Sequence, residues 1–506
     1  MRIEALQSRD ALLQAAKLLE RQVLSQQRII ARLKARLAEL EGASDPKQLE
    51  IEYLNEQIEL LNAQLYAASS EKRHVETRAA QQEPKKAHKG HGPTPQPLLP
   101  VVEVVHELPE EERVCNTCGG TLDPIPNGEV VTEEVHVVEV SYELRRHHRV
   151  KYACECEETI KIAPAPRRLI PGGRYSNDFA VHVAARKYLE HMPLQRQAAA
   201  MERAGLKTTS QALWDQIEAL ARVLEPTYKA LCTQVLDSTV VHADETRWRL
   251  MGRTERSSRW WVWSVVSDRI STYRIMDSRS SKVAQALLGG YEGIVVVDGY
   301  GAYRALERDG PSERGPTLAF CWAHVRRKFV KAKMMEPELA GEFLDLIGSL
   351  YAIEKTLPRL SADAGPVERE RVLAERLQIR RERSQLVVDE IFRLAQEKKG
   401  RLPERSTMGK ALAYLLKLRQ GLRIFLHDPQ APLDNNHAER ALRGVVVGRK
   451  NHYGSRSRRG TEVAALFYTL VETAKLSGID PVRYLRTAME RALAQPGAVT
   501  LPEDAA

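Results

Sequence analysis

Two close pairs of cysteines carry the most specific spacing in this 506-residue chain: Cys115 and Cys118 in VCNTCGG, and Cys154 and Cys156 in ACECEE. A C-x-x-C followed by two glycines makes a tight knuckle, and four thiolates suit tetrahedral Zn²⁺. The second pair is C-x-C, a shorter bite, so His147 or His148 could replace one thiolate. No secretory leader is read in MRIEALQSRDALLQAAKLLE, which favours metal over disulfides. Cys232 and Cys321 stand alone and are expected to be buried neutral thiols. A second chemistry rests on carboxylates. Apolar runs lead into Asp244 (HADET) and Asp298 (VVVDGYGAY), and DNNHAERALRG puts Glu439 in the first turns of a helix that Asn435 or Asn436 can cap. Mg²⁺ takes oxygen ligands, often one or two carboxylates plus phosphate oxygens. Two such ions ~4 Å apart activate an attacking oxygen and stabilise the leaving oxygen at one phosphorus. Strand ends also favour Asp for turns, so spacing alone leaves both readings open.

The elements needed to bring these acids together can be read from periodicity. Five strands are expected: 238–243, 260–266, 271–276, 293–298 and 317–323, with a helix starting near Ser281 between the third and fourth. In the order β-β-β-α-β, the meander leaves strand one beside strand four, so Asp244 and Asp298 lie at neighbouring strand tips. Three rival acids are set aside. Glu245 alternates to the other face, Asp434 falls outside the helix, and Asp237 begins strand one at the wrong end. Trp248, Trp260, Trp261 and Trp263 are expected mostly in the core.

Around this core the chain changes character several times. Heptads run through the first 66 residues and break at EGASDPKQ, which reads as two coiled-coil helices. Residues 80–100, rich in Pro, Lys and His, form a linker. A β segment runs from Glu129 to Cys154 on the alternation of Val138, Val140, Tyr142 and Leu144. PLQRQAAAMERAGLKTTSQALWDQIEALA holds two helices, and Thr208, Thr209 or Ser210 can cap the second. This pair resembles a helix-turn-helix that would present Lys207, Thr209 and Gln211 to DNA; a structural helical hairpin is the alternative. Residues 335–427 are helix-rich, 436–490 are helical with an interruption at GRKNHYGSRSRRG, and the tail from about Gln495 looks frayed. Lys and Arg total 76 against 67 Asp and Glu, a net +9 that points to a polyanion only where it is clustered. The clusters are there: His324, Arg326 and Arg327 beyond the fifth strand, Arg440, Arg443, Arg449 and Lys450 after Glu439, and the run from Arg145 to Lys151. No stretch approaches the ~20 apolar residues of a membrane span.

The strings HMPLQRQ, HADETRW, VVVDGYGAY, CWAHVRRKF and DNNHAERALRGVVVGRKNHYGS, in that order, resemble transposases of the insertion sequence 66 family. The resemblance covers roughly residues 100–490. It implies a multidomain α+β protein with an RNase H-like α/β catalytic domain, and Asp244, Asp298 and Glu439 as a DDE triad binding Mg²⁺ or Mn²⁺. It also implies a zinc-binding segment at Cys115, Cys118, Cys154 and Cys156. The expected domains are 1–79 coiled coil, 80–100 linker, 101–170 zinc-binding β module and 171–230 helical DNA-binding region. The catalytic core follows in two parts, 231–334 and 428–490, around a helical insertion at 335–427, and 491–506 is a tail. The implied activity is cutting of transposon ends and joining to target DNA, with a homo-oligomer through the coiled coil, small accessory proteins as possible partners, and a cytoplasmic setting. A DNA-binding regulator that kept the basic surfaces, or a related metal-dependent nuclease, is the alternative.

Overall fold

The computed structural model describes residues 141–506, except 154–159, 163, 252–258, 307–314, 362–363 and 506. The heptad segment, the linker and all four paired cysteines lie outside the described residues. Of the β segment expected from Glu129 to Cys154, only the end is described. Residues 142–150 form no strand, with Leu144 and Val150 exposed, and a short antiparallel pair, β1 (Lys151–Ala153) with β2 (Ile160–Ile162), follows. Apolar alternation makes a strand only where a partner completes the ladder, and none does so for 142–150 among the described residues.

Three helices precede the main sheet: α1 (Asn177–Tyr188), α2 (Leu194–Arg203) and α3 (Ser210–Gln234). Ser176 and Thr209 cap α1 and α3 through their hydroxyls. The expected second helix of the pair is far longer than a recognition helix. It runs 25 residues and buries Leu213, Ile217, Leu220, Ala221 and Leu224, because its apolar positions recur every three or four residues to the end.

The sheet has five strands: β3 (Val240–Arg249), β4 (Arg259–Val266), β5 (Ser271–Met276), β6 (Ile294–Val297) and β7 (Thr317–Phe320). Their order is β5-β4-β3-β6-β7, antiparallel on the β5 side and parallel from β3 to β7. The expected adjacency of strands one and four therefore holds. The expected end of strand one does not. β3 continues past Asp244 to Arg249 because β4, rich in tryptophan, keeps pairing with it: Asp244 faces Ser264 and Trp248 faces Trp260. Trp248 and Trp263 are buried, and Trp260 and Trp261 pack against the core.

Between β5 and β6 lies α4 (Ser281–Leu288), and between β6 and β7 a single turn, α5 (Gly301–Arg304). After β7 comes α6 (Trp322–Ala332), then the helix-rich stretch: α7 (Pro337–Thr356), α8 (Pro366–Ile379), one π turn (Arg380–Ser384), α9 (Gln385–Lys398), α10 (Thr407–Lys417) and α11 (Arg419–Leu422). Arg380, at the π turn, is buried. It forks onto Glu354 of α7 at 2.9 and 2.8 Å and donates to the carbonyls of Phe425, Asp428 and Pro429. That cation fastens these helices to the connection leading into α12 (Asn436–His452).

The last helices are α13 (Arg458–Leu476) and α14 (Pro481–Ala494). α13 covers the β5 edge of the sheet: the hydroxyls of Thr473 and Thr469 accept from the amides of Ser271 and Tyr273, satisfying an edge that would otherwise be open. The interruption read across GRKNHYGSRSRRG is narrower than expected, since α12 runs to His452 and α13 starts at Arg458. The tail is not frayed either. Thr500 is buried, its amide donates to Thr227 on α3, and its carbonyl accepts from Tyr484.

Candidate active site

The register of β3 and β6 determines where the first two acids fall. His242 pairs with Val296, and two residues further along each strand stand Asp244 and Asp298. Parallel strands that advance by the same two residues put these side chains side by side on one face. Gly299 follows with φ +82, a left-handed bend that glycine takes without strain, and a Cβ there would lie 2.7 Å from Leu418. The bend lets the Tyr300 amide donate to Asp298 Oδ1 at 2.7 Å, and the Tyr414 hydroxyl donates to the Asp298 carbonyl.

Glu439 comes from α12, and the start of that helix is pinned to the sheet. Asn435 holds the cap position, yet its side chain does not bond its own helix. Fully buried, it donates from Nδ2 to the carbonyl of Ala243 at 2.8 Å, and its Oδ1 meets His242 Nδ1 at 3.0 Å. An amide oxygen only accepts, so His242 Nδ1 carries the proton. The Asn435 amide donates to Cys321 Sγ at 3.1 Å. Asp434 serves the helix instead, accepting from the Asn436 amide at 3.0 Å. Ala243 immediately precedes Asp244, so one asparagine ties the helix of the third acid to the strand of the first.

The electrostatics at this sheet end are those of crowded carboxylates. Burial, then the charge of Glu245, raises the Asp244 carboxyl to about 7; Asp298 and Glu439 push in the same direction, against a hydrogen bond from the Glu245 amide. Glu245 is itself satisfied. Its side chain is enclosed by the Arg279 guanidinium and the Tyr303 hydroxyl at 2.6 Å. Asp237 lies in a 3₁₀ turn before β3, away from the acids' end of the strand. Glu439 faces α6: Arg327 Nη2 lies 3.4 Å from Oε1, and His324 Nε2 lies 3.6 Å from the same oxygen. His324 Nδ1 is buried with no partner, and burial lowers its pKa, then the charge of Arg327.

The chemistry of this set suits divalent cations. It is oxygen-only, and a carboxyl raised to about 7 by burial and then by other carboxylates marks a place where positive charge is wanted. Among the described residues, however, no three His, Cys, Asp or Glu side chains are gathered at metal-binding spacing, and Glu439 is turned towards Arg327. Bound there, a cation would be held by Asp244, Asp298 and, after release from Arg327, Glu439.

The residues expected to contact DNA divide into two groups. Arg440, Arg443 and Lys450 are exposed on α12, as are Lys207 and Gln211 at the α2–α3 turn. The others have structural partners. Arg449 donates to the Thr246 hydroxyl and the Arg247 carbonyl on β3, Arg459 pairs with Glu218 at 3.2 Å, Thr209 caps α3, and Gln211 also donates to Asp215. Arg326 is half-buried on α6. Of the two lone cysteines, Cys321 is buried as expected, with its thiol pushed up to about 12; Cys232 is only half-buried, and desolvation raises its thiol as well. Sequence reasoning missed Asn435 as a bridge and Tyr414 as an Asp298 partner. The sequence offers Asn435 only as a helix cap, and neither it nor Tyr414 carries a sequence signal for these contacts.

Comparison with known proteins bears on the same residues. A family model described as the transposase IS66 family matches residues 172–463, more than half of the chain. One described as the zinc-finger binding domain of transposase IS66 matches residues 112–157, a stretch that contains all four paired cysteines. The uncharacterized protein y4jD of Sinorhizobium fredii is 32% identical over 407 residues, covering 78% of this chain and 77% of its own. Uncharacterized protein y4hP of the same organism is 27% identical over 468 residues, covering 88% and 82%. No solved structure matches. No helix among the described residues is long and apolar enough to cross a membrane.

Proposed function

The chain belongs to the IS66 family of transposases, and on that premise we propose that it cuts transposon ends and joins them to target DNA, with Asp244, Asp298 and Glu439 as its catalytic carboxylates. The observation that carries this reading is the parallel register of β3 and β6, which sets Asp244 beside Asp298, with Asn435 tying the helix of Glu439 to the same strand. The strand order β5-β4-β3-β6-β7 supports an RNase H-like core, with 335–427 as a helical insertion between the second Asp and the Glu.

Held by Asp244, Asp298 and Glu439, Mg²⁺ or Mn²⁺ would supply the Lewis acidity that lowers the pKa of water and offsets charge on the phosphoryl group. The chain's own residues do the rest. Asp244 and Asp298 present fixed oxygens from adjacent strands, and Glu439 completes the set from α12. Arg327 and His324, now facing Glu439, are placed to contact a phosphate oxygen once Glu439 turns away. Hydrolysis at an element end frees a 3′-hydroxyl. That hydroxyl then attacks a target phosphodiester, so one P–O bond forms as another breaks. Arg440, Arg443, Lys450, Arg326, and Lys207, Thr209 and Gln211 at the helical pair make up the DNA contacts in this reading, while Arg449 stays bound to β3. Cys115, Cys118, Cys154 and Cys156 hold Zn²⁺ in the preceding module, and the N-terminal heptads join copies so that two ends can be brought together. The experiment is cleavage of labelled candidate ends in Mg²⁺. Asp244→Asn and Glu439→Gln should each lose roughly a thousandfold or more; cutting that persists in both variants overturns the assignment.

A further inference from the structure

Tyr453 is the one Phe, Tyr or Trp side chain among the described residues that is exposed, at 64%. Its backbone is also unusual. It closes α12 with φ 63, a left-handed conformation that non-glycine residues rarely take and that favours Asn or Gly at this position. The turn it begins is bolted to the sheet. Gly454 lies so close to β3 that a Cβ would meet the Arg249 carbonyl at 2.0 Å, the Ser455 amide donates to that carbonyl at 3.0 Å, and the Met251 amide donates to the Ser455 carbonyl at 2.8 Å. The Ser455 hydroxyl accepts from the Trp248 indole at 3.2 Å. The ring is thus held out from a rigid base. Exposed cations stand three residues away on either side, Lys450 and Arg456.

We propose that Tyr453 is a stacking platform for an unpaired nucleobase of bound DNA, displayed from a turn that is hydrogen-bonded to the strand carrying Asp244. An aromatic face takes any base by stacking, and neighbouring cations hold the phosphates on either side. The partner is chosen by charge complementarity: an apolar protein partner would meet Lys450 and Arg456 at the rim, whereas a polyanion is drawn to them. β3 also sets a ruler. From Asp244 to Arg249 is five residues, about 17 Å at strand rise. At ~3.4 Å per nucleotide step, Tyr453 would touch DNA about five nucleotides from the phosphate at the acids. This proposal rests on the transposase reading, and the following test separates the two.

The test uses full-length protein and two fluorescein-labelled probes, single-stranded dT20 and a 20-base-pair duplex. Tyr453→Asn keeps the left-handed backbone and removes the ring; Tyr453→Trp keeps a ring. The Asn variant should bind dT20 roughly tenfold more weakly while duplex binding changes less than twofold, and the Trp variant should match the parent chain. Equal losses on both probes, or no loss on dT20, overturn the platform. Binding to neither probe by the parent chain overturns both proposals. A platform that stands while Asp244→Asn still cuts DNA overturns the catalytic assignment alone.

Discussion

The sheet end that carries Asp244 and the helix start that carries Glu439 hold their acids by different means. Asp244 sits inside a ladder, paired to β4 on one side and two residues past the last β6 pair on the other. Its position follows from strand register, and burial, then the charge of neighbouring carboxylates, raises its carboxyl to about 7. Glu439 sits on a helix that reaches the sheet through a few side-chain contacts, chiefly Asn435, with the Trp322 amide donating to the Leu433 carbonyl just upstream. Its neighbours are Arg327 and His324. The first acid is placed by the backbone and lacks a cation. The second is placed by side chains and already has one. A site that binds metal must settle that asymmetry, by adding charge beside Asp244 and releasing Glu439 from Arg327.

Three experiments break or sharpen this contrast. The largest effect is expected from Asn435→Ala, which cuts the helix-side tether and leaves the Ala243 carbonyl and His242 Nδ1 buried without their partner. Denaturant unfolding should show a loss of about 2–3 kcal/mol. An unchanged midpoint would mean that the helix start is held by other contacts.

A smaller effect should appear in the pH dependence of the metal-free protein. The Asp244 pKa is raised on folding, so the folded chain binds more protons than the unfolded one between about 4 and about 7. Stability from this group is therefore greatest below the unfolded pKa and is lost as pH rises towards 7. In EDTA, the melting temperature should fall between about pH 5 and pH 8 more in the parent chain than in Asp244→Asn, and Mg²⁺ should restore more of it at pH 8 than at pH 5. Parallel curves for the two proteins would remove the strain assigned to the sheet end.

The smallest stability change should come from Arg327→Gln, because this ion pair is half-exposed and screened. Less than about 1 kcal/mol is expected. Its diagnostic readout is Mg²⁺ binding followed by thermal shift: with Glu439 released, half-saturation should need less Mg²⁺. A need for more would make Arg327 a support of the metal-bound arrangement instead of a competitor.

Much of this contrast could be read before the fold was known. The β-β-β-α-β order puts Asp244 next to Asp298 because a meander leaves its first strand at the crossover edge. DNNHAERALRG announces a helix start with an acid in its first turn, and Glu439 lies there. What could not be read depended on partners remote in sequence. HADET looked like a strand end because charges follow the apolar run, yet pairing with β4 carries β3 on to Arg249. The tail looked frayed because it is short and rich in Pro and Gly, yet Thr227 and Tyr484 hold Thr500 in place. Arg449 looked like a phosphate contact, and β3 holds it.

The order of apolar runs, the acids at their ends and the capped helix start are local patterns, determined by residue type and period along one stretch of chain. They identify which side chains are candidates for chemistry. Which of those side chains face open space and which are spent on neighbours was decided only by tertiary contacts. Asn435 bonds β3 instead of its own helix, Glu245 is enclosed while Asp244 is not, and Glu439 is drawn to Arg327. The reason is physical. A buried donor or acceptor must find a partner, and that partner can lie almost two hundred residues away, where periodicity carries no information about it.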